Sequence, residues 1–249
     1  ADSHLREAER LLAAVHAERV VINEAAFHHL PVAIAVARAY LAQSSGNVTA
    51  AVENAQRALK LVSAENHYDR GLAHFFLGLA HWTSGDLEVA AQSIGIAVSC
   101  MRHIGNFFFQ VVGTAILANI KAVQGHLREA AVTYERALQF TMDRGVFALR
   151  ETAEPHIGLS GLHREWDDLE TAVKQLQQGK EELADQSAFL GSASRWWVAM
   201  ARIKDAEGDS AGALELLQEA ERHYKRDPYP DVRPVAAVRA RVWLAQGRL

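Results

Sequence analysis

The side chains in this 249-residue chain most suited to chemistry are its twelve histidines. His74 with His81 and His156 with His163 are each seven apart, so each pair lies on one face of a helix. Seven residues span about 10.5 Å of helix, too far to share one ion without a third ligand between them. These histidines therefore read as groove or surface residues. Asp167-Asp168-x-Glu170 has the paired carboxylates that a magnesium-dependent reaction needs around a cavity. At an inter-helix turn the same residues suit an N-cap and the positive end of the helix dipole, and capping is the better explanation. Trp166 stands where a turn glycine is usual and is expected to pack over the hairpin end.

Composition narrows the classes further. Cys100 is the single cysteine, which rules out an intrachain disulfide and favours a reducing, cytoplasmic compartment. The sequence contains no HExxH, CxxC or GxGxxG pattern and no phosphate loop of the GxxxxGK[ST] type. A non-catalytic chain with no metal or cofactor of its own is the expectation. Apolar residues make up 49% and charged residues 22%, enough to bury a core. A net charge of -4 gives no general attraction to nucleic acid or acidic membranes. The apolar stretch from Phe107 to Ile120 is broken by Gln110, Gly113, Thr114 and Asn119 and is shorter than the roughly 18 residues of a membrane span.

The elements that position these residues repeat. Polar turns such as Ser45-Gly46-Asn47, Ser84-Gly85-Asp86, Gln124-Gly125-His126 and Glu207-Gly208-Asp209 separate apolar stretches. Taking the residue after each turn as a marker gives Leu5, Val48, Leu87, Leu127, Leu169, Ser210 and Leu249, a period near 40. Three residues further on stand Ala8, Ala51, Ala90, Ala130, Ala172 and Ala213. Positions seven and ten beyond the marker are also apolar or small, so offsets 0, 3, 7 and 10 trace one helical face. Twelve residues before the last five alanines stand Ala39, Gly78, Ala118, Ser160 and Ala201, all small. Small residues on both helices let their backbones approach closely, which makes each unit a helical hairpin. The fold class is all-α, a right-handed α-solenoid with a period near 40 residues. One helical-repeat domain is expected over 1–249, with hairpins at 31–66, 67–106, 107–146, 147–187 and 188–232. Residues 1–30 supply the second helix of a preceding hairpin plus a linker, and 233–249 the first helix of a last one.

Several stretches carry a family likeness. Tyr68-Asp69-Arg70-Gly71-Leu72-Ala73, Ser84-Gly85-Asp86-Leu87-Glu88-Val89-Ala90 and Gln124-Gly125-His126-Leu127-Arg128-Glu129-Ala130 belong to this set. Arg164-Glu165-Trp166-Asp167-Asp168-Leu169 and Trp243-Leu244-Ala245-Gln246-Gly247-Arg248-Leu249 complete it. From about Leu30 onward the chain resembles the tetratricopeptide-like (TPR) repeat region of MalT-like, LuxR-type ATP-dependent transcription activators, although its period exceeds the common 34 or so residues. That resemblance implies a fragment of a longer cytoplasmic regulator, flanked by a nucleotide-binding domain that uses ATP and a helix-turn-helix DNA-binding domain. It also implies a small-molecule inducer or a regulatory protein or peptide as partner, with homo-oligomers possible. A stand-alone adaptor holding an extended peptide or partner helix is the alternative.

In tetratricopeptide solenoids the first helix of each hairpin lines the inner groove. Carried onto this chain, the groove residues are Tyr40, Gln43, Phe75, Trp82, Asn119, Glu154, Arg164, Arg195, Arg202 and Asp205. Phe75 and Trp82 are expected to offer aromatic faces, and the charged residues directional contacts. The competing reading packs the aromatics against the next hairpin and pairs Arg202 with Asp205.

Overall fold

The computed structural model describes residues 2–13, 23–143, 153–183, 192–224, 228–230 and 232–248. All regular structure among them is helical: α1 (Asp2–Ala13), α2 (Glu24–Ser45), α3 (Val48–Leu61), α4 (His67–Thr83), α5 (Leu87–His103) and α6 (Phe107–Val123), followed by α7 (Leu127–Asp143), α8 (Ala153–Glu165), α9 (Leu169–Leu183), α10 (Ser192–Ala206), α11 (Ser210–Arg222) and α12 (Val235–Ala245). The chain forms two compact units, Ala1–Gln110 and Val111–Leu249. No described helix is long and apolar enough to cross a membrane.

The turns dictate the hairpins. Gly85 adopts φ +86°, a left-handed conformation that costs an L side chain steric strain, and Asp86 follows as the cap of α5, accepting from the Val89 amide. Asn47 and Asp209 cap α3 and α11 in the same way. At the α8–α9 turn this left-handed position belongs to Asp167, with φ +61°, and the cap to Asp168, whose Oδ1 accepts from the Thr171 amide at 3.1 Å. Asp167, not Trp166, thus stands in for the turn glycine. Asp tolerates this conformation better than a bulky indole, which instead sets its edge against the His163 ring, 5.4 Å between centroids.

Boundaries differ at the first hairpin. Its leading helix starts at Glu24 rather than 31, because the Asn23 side chain accepts from the Ala26 amide and begins the helix a turn and more earlier. Of the helix expected within residues 1–30, α1 accounts for Asp2–Ala13, and residues 14–22 lie outside the described residues. The expected boundaries after 146 and 187 and the marker Leu249 also lie outside them.

The alanine register carries the packing. Ala39, Ala51, Ala90, Ala118, Ala130, Ala172, Ala201 and Ala213 have no measurable exposure, and Ser160 almost none. In the first unit a Cβ added to Gly78 of α4 would come within 2.7 Å of the Ile94 side chain on α5, so glycine is what permits that approach. In the second unit the demand is sharper at Gly158 of α8, where a Cβ would lie 2.2 Å from Tyr134 Cζ. Tyr134, on α7, sits in a core with Ala118, Ala130, Leu159 and Leu162. A neighbouring core joins Leu176 of α9 to Trp196 of α10, whose Nε1 donates to the Leu176 carbonyl at 2.7 Å.

Candidate functional site

The first unit holds four of the expected groove residues. Tyr40 is exposed and meets Phe76 edge-on at 5.7 Å. Gln43 is buried, donating from Nε2 to Thr83 Oγ1 at 2.8 Å. Phe75 and Trp82 depart from expectation. They are 4% and 6% exposed, and Phe75 packs edge-on against both Phe76 and Phe109 at 5.5 Å. Rings of this size gain more by leaving water between helices than by facing it, so both are interior residues rather than open stacking faces.

The second unit brings the polar residues together. Asn119 of α6, Glu154 of α8 and Arg195 of α10 line one narrow cleft, floored by Val112, Ala115 and Ile116 and closed by Tyr229. Its volume is about 10 Å³, room for a single water. Glu154 Oε1 accepts from Arg195 Nε at 2.7 Å and from Ser192 Oγ at 2.8 Å. The Arg195 guanidinium lies 5.3 Å from the centre of the Tyr229 ring, a cation–π distance. Asn119 Oδ1 accepts from the Tyr134 hydroxyl at 2.8 Å, and burial pushes that phenol above its usual pKa.

Further along α8 lies a second polar group. Glu165 Oε1 accepts from Arg202 Nη2 of α10 at 2.9 Å and also from Arg164 Nη2. Burial raises the Glu165 pKa, but the two guanidinia outweigh it and hold the carboxyl below its ordinary value. Arg233, between α11 and α12, points its Nη1 to within 3.9 Å of where a Cβ on Gly161 would stand. Burial lowers the pKa of Arg202 to about 9, with repulsion from Arg233 and Arg164 adding to it and Glu165 opposing. Arg202 therefore pairs with Glu165 rather than with Asp205. Asp205 accepts from Ser210 Oγ at 3.2 Å.

Tyr229, Ser192, Glu165 and Arg233 were not among the residues expected from the sequence. Tyr229 and Arg233 sit in the connection from His223 to Pro234, which has no counterpart in the shorter α3–α4 and α5–α6 turns. Its length and its prolines at 228, 230 and 234 were the available signal. The histidine pairs separate. His81 Nδ1 lies 3.6 Å from the Asp86 carboxylate, and His163 Nδ1 3.1 Å from that of Asp168, the same place in two repeats. His156 meets Gln175, while half-buried His74 is held below its usual pKa by desolvation and by Arg70. Among the described residues no three His, Cys, Asp or Glu side chains converge as metal ligands would.

Comparison with solved structures places this architecture. A putative kinesin light chain of Podosopora anserina with nearly identical TPR-like repeats matches at a TM-score of 0.54 and 18% identity, over 78% of this chain and 95% of that one. BtubC (BKLC) from P. vanneervenii matches at 0.61 and 15% identity, over 89% and 87% respectively. At such identities the likeness is one of fold, an all-α solenoid of TPR-like repeats. Comparison with curated proteins finds no match. The family described as the MalT-like TPR region matches residues 33–249, nearly the whole chain, and the chain belongs to that family.

Proposed function

We propose that the chain is the sensor and interaction region of a LuxR-type transcription regulator, and that its ligand surface is the face of the second unit formed by α6, α8, α10 and the segment around Tyr229. The polar constellation of Glu154, Arg195, Ser192 and Asn119 carries this reading. It draws on three helices, and Asn119, Glu154 and Arg195 line one cleft with Tyr229 of the connecting segment. Family membership supports the reading, since a helical repeat region serves recognition rather than reaction. No covalent step is assigned to any of these residues.

A ligand here acts by biasing an equilibrium. Binding between α8 and α10 stabilises one arrangement of the hairpins, and it shifts a regulator only as far as the affinities for its two states differ. In the parent protein the change would be read by a nucleotide-binding domain, through ATP-dependent oligomerisation, and by a helix-turn-helix domain on DNA.

The test is a thermal-shift screen of small metabolites and candidate regulatory proteins, followed by calorimetry on Glu154→Gln and Arg195→Gln. A ligand that binds the folded form raises the melting temperature. Loss of that shift in both variants, with helical content retained, supports the cleft. Undiminished affinity in both would put the ligand elsewhere.

A further inference from the structure

Three arginines of the second unit, Arg164, Arg202 and Arg233, gather around one carboxylate, Glu165, and we propose that this is a subsite for the phosphate group of a small phosphomonoester. The assignment rests on the ligand face proposed above and names the chemistry of one end of its ligand.

The geometry is that of an excess of guanidinium. Arg164 and Arg202 both donate to the same oxygen, Glu165 Oε1, so one carboxylate oxygen serves two cations. Arg233 reaches in from the connecting segment, over Gly161 and one turn along α8 from Glu165. No side chain stands at Gly161 to hold it off. Counting formal charges, three guanidinia against one carboxylate leave two positive charges. The Arg202 side chain is 12% exposed, and Arg164 Nε is buried without a hydrogen-bond partner among the described residues.

Buried cations and an unpartnered N–H are costly, and a bound dianion relieves both at once. Guanidinium is weakly hydrated and presents a planar fork of donors, which fits the oxygens of a phosphate in bidentate fashion. A phosphomonoester near neutral pH carries close to two negative charges, matching the local excess, whereas a single carboxylate would leave one cation uncompensated. Repulsion among the three guanidinia is already felt at Arg202 and Arg233, both held below the ordinary arginine pKa with burial as the largest cause. A guanidinium stays charged at neutral pH even so, and the strain is available to an incoming anion. The continuity of the surface is also favourable. The Glu154–Arg195 and Glu165–Arg202 pairs both bridge α8 and α10, so the two polar groups are built on the same pair of helices.

The experiment uses the whole chain, with inorganic phosphate, glycerol phosphate and glucose phosphate as probes against succinate and sodium chloride at matched ionic strength. Melting curves and isothermal calorimetry are the readouts. Saturating phosphate or phosphomonoester is expected to raise the melting temperature by roughly 5–10 °C over the matched chloride control. Arg233→Gln, which removes one of three mutually repelling guanidinia, should leave the unliganded melting temperature no lower and weaken phosphate binding at least tenfold. Arg202→Lys, which keeps the charge and loses the fork, should also weaken it, and Arg136→Gln, at an exposed residue of α7, should not. Phosphate binding that survives both Arg233→Gln and Arg202→Lys would overturn the site, as would succinate binding as tightly as the phosphates. If no anion binds while a neutral ligand binds in a manner lost in Glu154→Gln, the phosphate assignment fails and the ligand face stands. If neither binds, both fail.

Discussion

Replacing Gly158 by alanine tests the packing on which the cleft is built. The new Cβ would stand 2.2 Å from Tyr134 Cζ and 2.5 Å from its hydroxyl oxygen. Ordinary contact begins near 3.4 Å, so ring and helix must part by about 1.2 Å. The ring cannot swing outward, because Tyr134 is 1% exposed and enclosed by Ala118, Ala130, Leu159 and Leu162. Its hydroxyl is moreover held by Asn119. Overpacking of this kind costs about 1–3 kcal/mol, and losing the hydrogen bond adds about 1. The gain in helix propensity from glycine to alanine returns about 1, leaving a net loss of about 1–3 kcal/mol. For a chain of this size that lowers the melting temperature by roughly 2–12 °C. Urea unfolding followed by far-UV circular dichroism measures it, with Gly95→Ala as control. Gly95 lies in α5 with nothing within 4 Å of a new Cβ, so that variant should gain up to about 1 kcal/mol. Equal stability of Gly158→Ala and the parent would refute the reasoning, as would an undiminished penalty when Tyr134 is also changed to alanine.

Other outcomes follow from single residues. Asp167→Gly should raise stability by about 1 kcal/mol, since φ +61° strains any side chain, and thermal melting checks it. Trp82→Ala should destabilise by about 3–5 kcal/mol, because the indole is buried core rather than an open ligand face, and a normal melting curve would contradict that placement. Glu165 is held below its ordinary pKa of 4.5, so its ionised form stabilises the fold at neutral pH and that contribution is lost as pH falls below about 4.5. Glu165→Gln should flatten this acid limb in melting curves taken from pH 7 to 3. Burial raises the Cys100 thiol above its usual pKa, opposed by Arg70, so alkylation by iodoacetamide at pH 7 should be slower than for a free thiol, and equal rates would contradict its burial.

The repeat register was legible in the sequence because the physics that fixes it is local and recurrent. A backbone crossing that admits only a small side chain leaves alanine or glycine at one spacing, and Ala90, Ala130, Ala172 and Ala213 are all fully buried. Gly158 shows where this reading ends: the spacing makes Tyr134, seven residues beyond the marker Leu127, a helix-face position but does not reveal a ring seated on a glycine. Glu154 and Arg195 stand at like positions in successive repeats, each six residues before the small crossing residue, so their shared face was legible, whereas Asn119 does not share that position. Phe75 and Trp82 fall at like positions too, yet burial took them inward, and spacing along a helix does not reveal how deeply a face is covered. Partners drawn from irregular connections, Tyr229 and Arg233, obey no period and were out of reach. The exchange of Arg202 from Asp205 to Glu165 has the same origin, since inter-helix distance, not sequence separation, decides which carboxylate is nearer.

Hydrogen–deuterium exchange of the chain with and without a ligand from the screen tests the central claim most directly, because protection maps where binding orders the backbone. Recognition on the proposed face predicts slowed exchange in peptides from α8, α10 and residues 228–234, with α3, α5 and α11 unchanged. Protection confined to α7, α9 and α11, or to the first unit, would contradict it.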